Sequence, residues 1–326
     1  MSQRPGNSSI PRNRGLHGRA SFFDHPDTQP LGYKHTPNPG HTLEYACFTV
    51  GQPETTPRET LKQLKDAGYT GVEWRVTNDD GDTSPPGYWK GNRCTLQATW
   101  SDEQFQEIAD MMAEMDIRAA SLGSYLRCDQ YDGVGRMMQV AKILGAGSLR
   151  VNSLGYDGSR PYPELFEECI GHFGRIQQLS KQFGVKAVME THPGNITTSA
   201  SLAYQLASNF SPDFVGVIHD AGNMVHEGYE HYQMVFEMLG PYLAHVHIKN
   251  GRWAADPAEA PYARKWKNES APMRDGCVDF EFLVRSLKSV GYDGWLSFED
   301  FSSEATQEEK VRDNIQFMKE VEALVS

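Results

Sequence analysis

Short hydrophobic runs alternate along the chain with longer stretches in which apolar residues recur every three or four positions. From residue 43 onward, eight of the short runs have the length and composition of buried strands. Between them, the period of three to four residues is that of amphipathic helices. The predicted strands are LEYACFTV, TGVEWRV, IRAASLG, GSLRVNS, VKAVMETH, FVGVIHD, LAHVHIK and GWLSFED.

A predicted helix follows every strand. PRETLKQLKDAG begins with proline and stops at glycine, and SDEQFQEIADMMAEMD begins with a serine cap. Eight strand–helix units in succession predict a parallel sheet closed into a (β/α)8 TIM barrel, and no G-x-G-x-x-G follows the first strand to favour a dinucleotide fold. The other helices are predicted over Asp129–Leu144, Tyr162–Phe183, Thr198–Asn209, Glu227–Leu239, Asp279–Val290 and from about Glu304.

Three segments do not fit the alternation. Long loops are predicted over Thr77–Trp100, after strand 2, and over Asn250–Gly276, after strand 7, and in such barrels they lie on the catalytic face. Residues 1–41 are rich in Pro, Gly, Asn and Arg and have no apolar period. We expect them to form an N-terminal arm outside a barrel domain of residues 42–326. The arm is either a disordered tail or a segment that packs on another subunit.

Composition and charge narrow the function. The net charge of -12 argues against nucleic-acid binding, which needs a basic surface, and favours a small neutral or metal-chelated substrate. No apolar stretch approaches the roughly 18 residues of a membrane span, and no signal segment is visible, so we expect a cytoplasmic protein without a membrane anchor. The five cysteines are dispersed, which predicts reduced thiols and neither a zinc knuckle nor a disulfide framework.

Potential metal ligands stand at the carboxyl ends of the last four strands. Strand 5 ends in Glu190, with His192 two residues on, strand 6 in Asp220, strand 7 in His247 and strand 8 in Glu299. Adjacent strand ends meet on one sector of the barrel rim, within reach of a single ion. Each acidic residue alone is equally well explained as a cap of the next helix, but four in register favour a metal site. Three carboxylates and one imidazole suit Mn²⁺, Mg²⁺ or Co²⁺.

The strand-end motifs resemble a known superfamily. VMETHPGN, VIHDAGNM, LAHVHIKN and GYDGWLSFED, preceded by DGCVDFEFLVRSLKSVG, are similar to the corresponding strands of xylose isomerase-like barrels, which include sugar phosphate isomerases/epimerases, inosose dehydratases and ketose 3-epimerases. The resemblance covers roughly residues 43–322. It implies one divalent ion, most simply Mn²⁺, held by Glu190, Asp220, His247 and Glu299. It places His245 one layer deeper, as a hydrogen-bonded core residue.

The resemblance also implies the chemistry. A divalent ion would chelate a sugar carbonyl and a neighbouring hydroxyl and stabilise the enolate left when the carbon between them loses a proton. Glu190 and Glu299 would act as base and acid, and His192 is the other candidate base. Several epimerases carry a substrate-contacting histidine where this chain has Asn223, which can hydrogen-bond a hydroxyl but cannot titrate. Lys249 is expected either to steady an oxyanion or to be a solvated loop lysine.

The fate of the enolate separates two functions. Reprotonation gives a keto-sugar epimerase or isomerase, and expulsion of a group from the adjacent carbon gives a lyase. The lyase is favoured by a small margin, because the E-x-H after strand 5 and the insertion EWRVTNDDGDTSPPGYWKGNRCTL resemble the larger subunits of bacterial C-glycoside deglycosidases, which act on 3-oxo-glycosides. The loop around Trp89, Asn92 and Arg93, with Tyr88 and Trp100 beside it, is then expected to cover an aromatic aglycone or a small β-rich partner subunit. The alternative for this loop is a purely structural flap.

Two further classes share this barrel. Endonuclease IV-like repair enzymes need more His and acidic ligands for a zinc cluster, together with a DNA-binding face, and the acidic charge opposes them. A non-catalytic sugar-binding barrel would have no reason to keep all four ligand positions. The sequence therefore predicts a metal-dependent sugar enzyme, expected to form an oligomer.

Overall fold

Eight parallel strands close into a barrel in the computed structural model, which describes residues 43–78, 82, 84–257 and 262–325. In chain order, each strand pairs with the next, and β1 pairs with both β2 and β8, which closes the ring. The predicted (β/α)8 barrel is confirmed, whereas the predicted arm of residues 1–41 lies outside the described residues. The strands are β1 (Glu44–Phe48), β2 (Gly71–Thr77), β3 (Arg118–Ser124), β4 (Ser148–Arg150), β5 (Lys186–Glu190), β6 (Val215–Asp220), β7 (Leu243–Ile248) and β8 (Trp295–Phe298).

Helices follow the strands and cover the outside of the barrel. The first begins with a capping box, in which the Thr56 hydroxyl accepts from the Glu59 amide and the Glu59 carboxylate accepts from the Thr56 amide. It ends at Gly68, whose φ of 93° is a conformation that glycine adopts without strain. The main helices are α1 (Pro57–Ala67), α2 (Asp102–Glu114), α3 (Tyr131–Leu144), α4 (Tyr162–Phe183), α5 (Ala200–Ala207), α6 (Tyr232–Leu239), α7 (Phe280–Ser289) and α8 (Gln307–Leu324).

Three connections differ from the sequence prediction. The loop after β7 contains an antiparallel hairpin of Gly251–Ala255 and Trp266–Ser270, and the loop after β2 contains a two-residue strand, Leu96–Gln97, that pairs with β2. A short helix, Ala221–His226, follows β6 directly. The helix predicted from Glu227 starts only at Tyr232, because Gly228 interrupts the path at a φ of 82°.

Alternation of side chains along the strands separates two buried regions. In β7, Val246 and Ile248 belong to the apolar layer between sheet and helices, whereas His245 and His247 contact Glu73 of β2 across the barrel interior. The interior is therefore polar beneath the rim that carries the predicted ligands. None of the helices in the described part of the chain combines the length and hydrophobicity that crossing a bilayer requires.

Candidate metal centre

The four residues predicted as ligands converge at one place on the barrel rim. Glu190, Asp220, His247 and Glu299 each offer one ligand atom, and these atoms all lie within 4.8 Å of one another. All four side chains are buried. Three carboxylates brought together in a buried site repel one another unless a cation lies among them. The donor set and its spacing therefore fit one divalent ion.

The ring of His247 is oriented by contacts on both of its nitrogens. Nδ1 lies 3.1 Å from Glu190 Oε1 and 3.6 Å from Asp220 Oδ2, so this nitrogen faces the other ligands. Nε2 lies 3.2 and 3.3 Å from the two oxygens of Glu73. Burial alone would lower the pKa of His247, but the Glu73 charge and the bonds to Asp220 and Glu190 raise the pKa well above its usual value. A metal ion must therefore displace a proton from this ring.

Glu73 is a member of the site that sequence reasoning missed. It lies in the middle of β2 and is fully buried, and His245 Nε2 lies 3.0 Å from its Oε2. Burial would raise the pKa of Glu73, but His247 and His245 together hold it well below the usual range. His245 lies one layer below the rim, where the resemblance placed it. The available signal was a pair of charged residues, Glu73 and Arg75, within the mostly apolar strand TGVEWRV.

Arg150, at the end of β4, is a second missed residue. Its Nη1 donates to Glu190 Oε2 at 2.9 Å and its Nε to the Ser124 carbonyl at 3.0 Å, and both members of the ion pair are buried. Burial would raise the pKa of Glu190, but the Arg150 charge and the His247 bond hold it well below the usual range. Glu190 therefore stays ionised and is a weak proton acceptor.

Lys249 is part of the centre and not a solvated loop lysine. Its Nζ donates to Glu299 Oε2 at 2.6 Å, to Asn223 Oδ1 at 3.0 Å and to Asp220 Oδ2 at 3.2 Å. Burial would lower the pKa of Lys249, but Asp220 and Glu299 raise it, so the group stays an ammonium. Burial raises the pKa of Glu299 despite the nearby charges of Lys249 and His247. Glu299 thus holds a proton more readily than Glu190 does.

A cavity of about 240 Å³ is lined by Glu190 and Glu299, two of the four predicted ligands. One wall is aromatic, because Trp89 lies 5.3 Å from Phe301 and 6.1 Å from Tyr125 between ring centroids, and 55% of Trp89 is exposed. Most of the other lining residues are polar and can hydrogen-bond hydroxyl groups. The residues that line the cavity are Trp89, Tyr125, Arg150, Asn152, Glu190, His192, Pro193, Gly194, Asn195, Lys249, Glu299 and Phe301.

His192 faces this cavity with one nitrogen committed to the backbone. Its Nδ1 lies 2.6 Å from the Pro193 carbonyl oxygen. Because a carbonyl only accepts, Nδ1 carries the hydrogen, and Nε2 of the neutral ring bears the lone pair. The imidazole is solvent-exposed and lies next to Glu190 in the cavity lining. His192 is not one of the four predicted ligands, and its role as a base stays a prediction.

Three predicted substrate-binding residues lie outside the cavity lining. Asn92 is buried in the loop after β2, where its amide donates to the Val50 carbonyl at 3.0 Å and accepts from the Cys94 amide at 3.0 Å. Arg93 donates to the Glu54 carbonyl at 2.7 Å. Asn92 and Arg93 hold the loop together, and we propose no substrate role for them.

Asn223 contacts the predicted ligands directly: its side chain donates to the Thr191 carbonyl at 3.1 Å and to Glu190 Oε1 at 3.4 Å, and it accepts from Lys249. Its amide is thus committed to neighbouring residues and not directed at a substrate. Tyr88 and Trp100, the other aromatic residues of the insertion, also lie outside the lining. The Tyr88 hydroxyl lies 2.9 Å from Lys310 Nζ, and the Trp100 ring packs 5.8 Å from Phe105 of α2.

Comparison with known proteins gives one family and several relatives. A family model described as "Xylose isomerase-like TIM barrel" matches residues 61–321. The inosose dehydratase of Geobacillus kaustophilus (strain HTA426) is 23% identical over 141 residues, which are 41% of this chain and 45% of that protein. The chain thus spans about half the length of the curated relatives it matches.

Two solved structures share the fold. A xylose isomerase-like TIM barrel protein from Mycobacterium smegmatis, crystallised with magnesium, has a TM-score of 0.63 and 18% identity, over 87% of this chain and 98% of the other. The 3-keto-D-glucoside 4-epimerase from E. coli, in its apo form, has a TM-score of 0.63 and 12% identity, over 86% of this chain and 100% of the other. At these identities, the likeness shows the fold.

Proposed function

This chain belongs to the xylose isomerase-like TIM barrel family, and from that premise we propose that it is a divalent-metal-dependent lyase acting on a 3-oxo-sugar derivative. One observation carries the proposal: the cavity lined by Glu190 and Glu299, two of the four clustered ligand candidates, is also lined by His192, whose Nδ1 is bonded to the Pro193 carbonyl. The dehydratase and the 3-keto-glucoside epimerase among the similar proteins are named for reactions that can begin by removing a proton beside a ketone.

Glu190, Asp220, His247 and Glu299 would hold the ion. When bound there, a divalent ion supplies positive charge that polarises a carbonyl oxygen of the substrate. Mn²⁺ is our proposal for its identity, with Mg²⁺ or Co²⁺ as alternatives, because the donor set is rich in oxygen. The relative from M. smegmatis was crystallised with magnesium, which is consistent with an oxygen-rich site.

Proton removal is assigned to His192. Its Nε2 takes the proton from the carbon next to the ketone, and the electron pair of that C–H bond moves toward the carbonyl oxygen. The ammonium of Lys249 also lines the cavity and adds positive charge to it, while its hydrogens bond to Glu299, Asn223 and Asp220. The bond to the group on the next carbon then breaks, that group leaves with the bonding electrons and a proton, and an enone remains. We propose that Glu299, which lines the cavity, donates that proton in addition to binding the ion.

The Arg150–Glu190 ion pair favours elimination over epimerisation. An epimerase of the two-carboxylate type needs Glu190 and Glu299 to exchange protons on opposite faces of the substrate. Here the guanidinium lies 2.9 Å from Glu190 and holds the pKa of that carboxyl well below its usual range, so Glu190 is a poor proton acceptor. A single imidazole base on one face is sufficient for elimination.

The aromatic side chains of the cavity are suited to stacking against a flat leaving group. Trp89, Tyr125 and Phe301 stand beside the cavity, where an aromatic aglycone could stack while the sugar hydroxyls face the polar lining residues. The exposed face of Trp89 is also where a small β-rich partner subunit could complete the enclosure. The proposal includes both the aromatic aglycone and the partner subunit.

The experiment offers the metal-loaded protein a 3-oxo-C-glucoside, a 3-oxo-O-glucoside with an aromatic aglycone, an inosose and a set of free ketoses in deuterated water. We expect release of the aglycone, abolished by a chelator and restored by Mn²⁺. Loss of water from the inosose alone would identify a dehydratase. Exchange of deuterium into a free ketose, with no group released from any substrate, would favour the epimerase. The matched control is His192→Ala, which should keep its metal and lose proton abstraction.

A further inference from the structure

A second buried cluster lies directly beneath the four ligands, inside the barrel. It consists of Glu73, His245 and His247, whose side chains are 0–1% exposed. His247 belongs to both clusters, since Nδ1 faces Glu190 and Asp220 while Nε2 faces Glu73. The proposed function uses the upper cluster and leaves the lower one without a role.

The contacts of His247 Nε2 determine which nitrogen of the ring carries the hydrogen. A neutral imidazole has one N–H and one lone pair, and its hydrogen lies on the nitrogen that has an acceptor for it. The Glu73 carboxylate only accepts, and it lies 3.2 and 3.3 Å from Nε2. The hydrogen of a neutral His247 is therefore fixed on Nε2, and the lone pair on Nδ1 is directed at the ligand cluster.

We propose that Glu73 is a positioning residue of the metal centre: it fixes His247 in the tautomer that binds metal through Nδ1 and increases the electron donation of that nitrogen. The inference rests on the proposed function, since it requires the four ligands to hold an ion. A negative charge hydrogen-bonded to the far nitrogen of a ligand imidazole orients the ring and raises its basicity.

Neighbouring residues hold this arrangement rigid. His245 Nε2 donates to Glu73 at 3.0 Å and its ring meets the His247 ring edge-on at 5.3 Å, so the carboxylate cannot turn away without losing a buried partner. On its other side, His247 stacks on Phe48 with ring centroids 5.7 Å apart. The ring is thus enclosed on two sides.

The same three residues could instead hold a second ion, because their ligand atoms also lie within 4.8 Å of one another. Direct contacts of 3.0–3.3 Å already pair each histidine with Glu73. Within residues 43–325, as far as they are described, no fourth His, Cys, Asp or Glu joins the group. We therefore assign it to positioning, and the number of bound ions tests the alternative.

The test measures Mn²⁺ binding by titration calorimetry on wild-type protein, Glu73→Gln and Glu73→Asp. Circular dichroism verifies the fold of each variant. We expect one ion per wild-type chain and a Kd for Glu73→Gln that is about 10- to 100-fold weaker. Glu73→Asp, which restores the carboxylate, should recover part of the loss. The matched control is Ser121→Ala, since Ser121 is the buried register neighbour of Glu73 on β3 and bonds to Ser148 rather than to either histidine.

A second measurement needs no variant. Nitrogen-15 NMR of histidine-labelled wild-type protein loaded with Mg²⁺ should show His247 protonated on Nε2. Protonation on Nδ1, or an unchanged Kd in Glu73→Gln, would overturn the inference. Two ions in the wild type, with one lost in Glu73→Gln, would overturn it in favour of a second metal site. A wild-type protein that binds no ion would refute the metal centre itself and the inference with it.

Discussion

His219 should make the folded protein sensitive to mild acid. The residue lies in β6, is 1% exposed, and packs edge-on against Phe236 and Tyr232 at ring-centroid distances of 5.0 and 5.8 Å. Its Nδ1 has no hydrogen-bond partner within the described part of the chain. Burial lowers the pKa of His219 to about 4, although the charge of Asp220 acts in the opposite direction. The folded protein therefore resists the protonation that the unfolded chain undergoes.

The direction and the size of the pH effect on the free energy of unfolding follow from the pKa values of His219 in the unfolded and the folded protein. The unfolded histidine, with a pKa of about 6.5, takes up a proton as the pH falls below that value, whereas the folded one stays neutral until about pH 4. The free energy of unfolding therefore falls as the pH drops from about 6.5 to about 4. The difference between these two pKa values corresponds to a total of about 3 kcal/mol, of which about 2 kcal/mol is already lost between pH 7 and pH 5.

The assay compares wild-type protein with His219→Phe, which keeps an aromatic ring in the same packing and removes the titrating group. Urea unfolding at pH 7 and pH 5, with a chelator in every sample, gives the free energy of unfolding of each protein. The wild type should lose about 2 kcal/mol more than the variant over this interval. Equal losses in the two proteins would refute the argument from burial.

Three further predictions concern the site. Glu299→Gln should bind Mn²⁺ poorly and lose turnover, which metal analysis and the aglycone-release assay will show, since ligand and acid disappear together. Arg150→Met should lower the free energy of unfolding by about 3–5 kcal/mol in urea titrations, because it removes the buried guanidinium that pairs with the Glu190 carboxylate; unchanged stability would contradict this reasoning. Trp89→Ala should weaken binding of aromatic 3-oxo-glycosides by about 1–3 kcal/mol, measured as a rise in KM, and leave the melting temperature unchanged, because 55% of Trp89 is exposed.

The convergence of the four candidate ligands could be predicted from the sequence because it follows from strand order. Glu190, Asp220, His247 and Glu299 end four consecutive strands, and a closed parallel barrel brings such ends together whatever the loops do. Glu73 and Arg150 were missed because their partners are distant in the sequence. Glu73 lies 172 and 174 positions from its two histidines, and nothing in the local pattern of β2 indicates where its side chain finds a partner.

The roles of side chains in the long loops could not be predicted from the sequence. Asn92 and Arg93 have side chains suited to sugar binding, but the path of their loop directs them at backbone carbonyls of Val50 and Glu54. The backbone bonds of an irregular segment depend on the whole fold, so residue type does not reveal which side chains stabilise the loop. The hairpin after β7 was missed for a related reason. Its strands, RWAA and WKNES with their flanking residues, show no clear alternation of apolar and polar positions.

Closure of the barrel by β8 has a consequence for biosynthesis. β8 lies between β1 and β7, and 46 residues, 249–294, separate the end of β7 from its start. At about 5–20 residues per second, a ribosome needs roughly 2–9 s to translate that interval. During this time the nascent sheet has two unpaired edges, at β1 and β7, where another chain could pair. Glu299 is synthesised only after β8, so a metal ion that needs all four ligands cannot assist the folding steps that precede β8. A chain that ends before Trp295 would leave the sheet open and prone to aggregation.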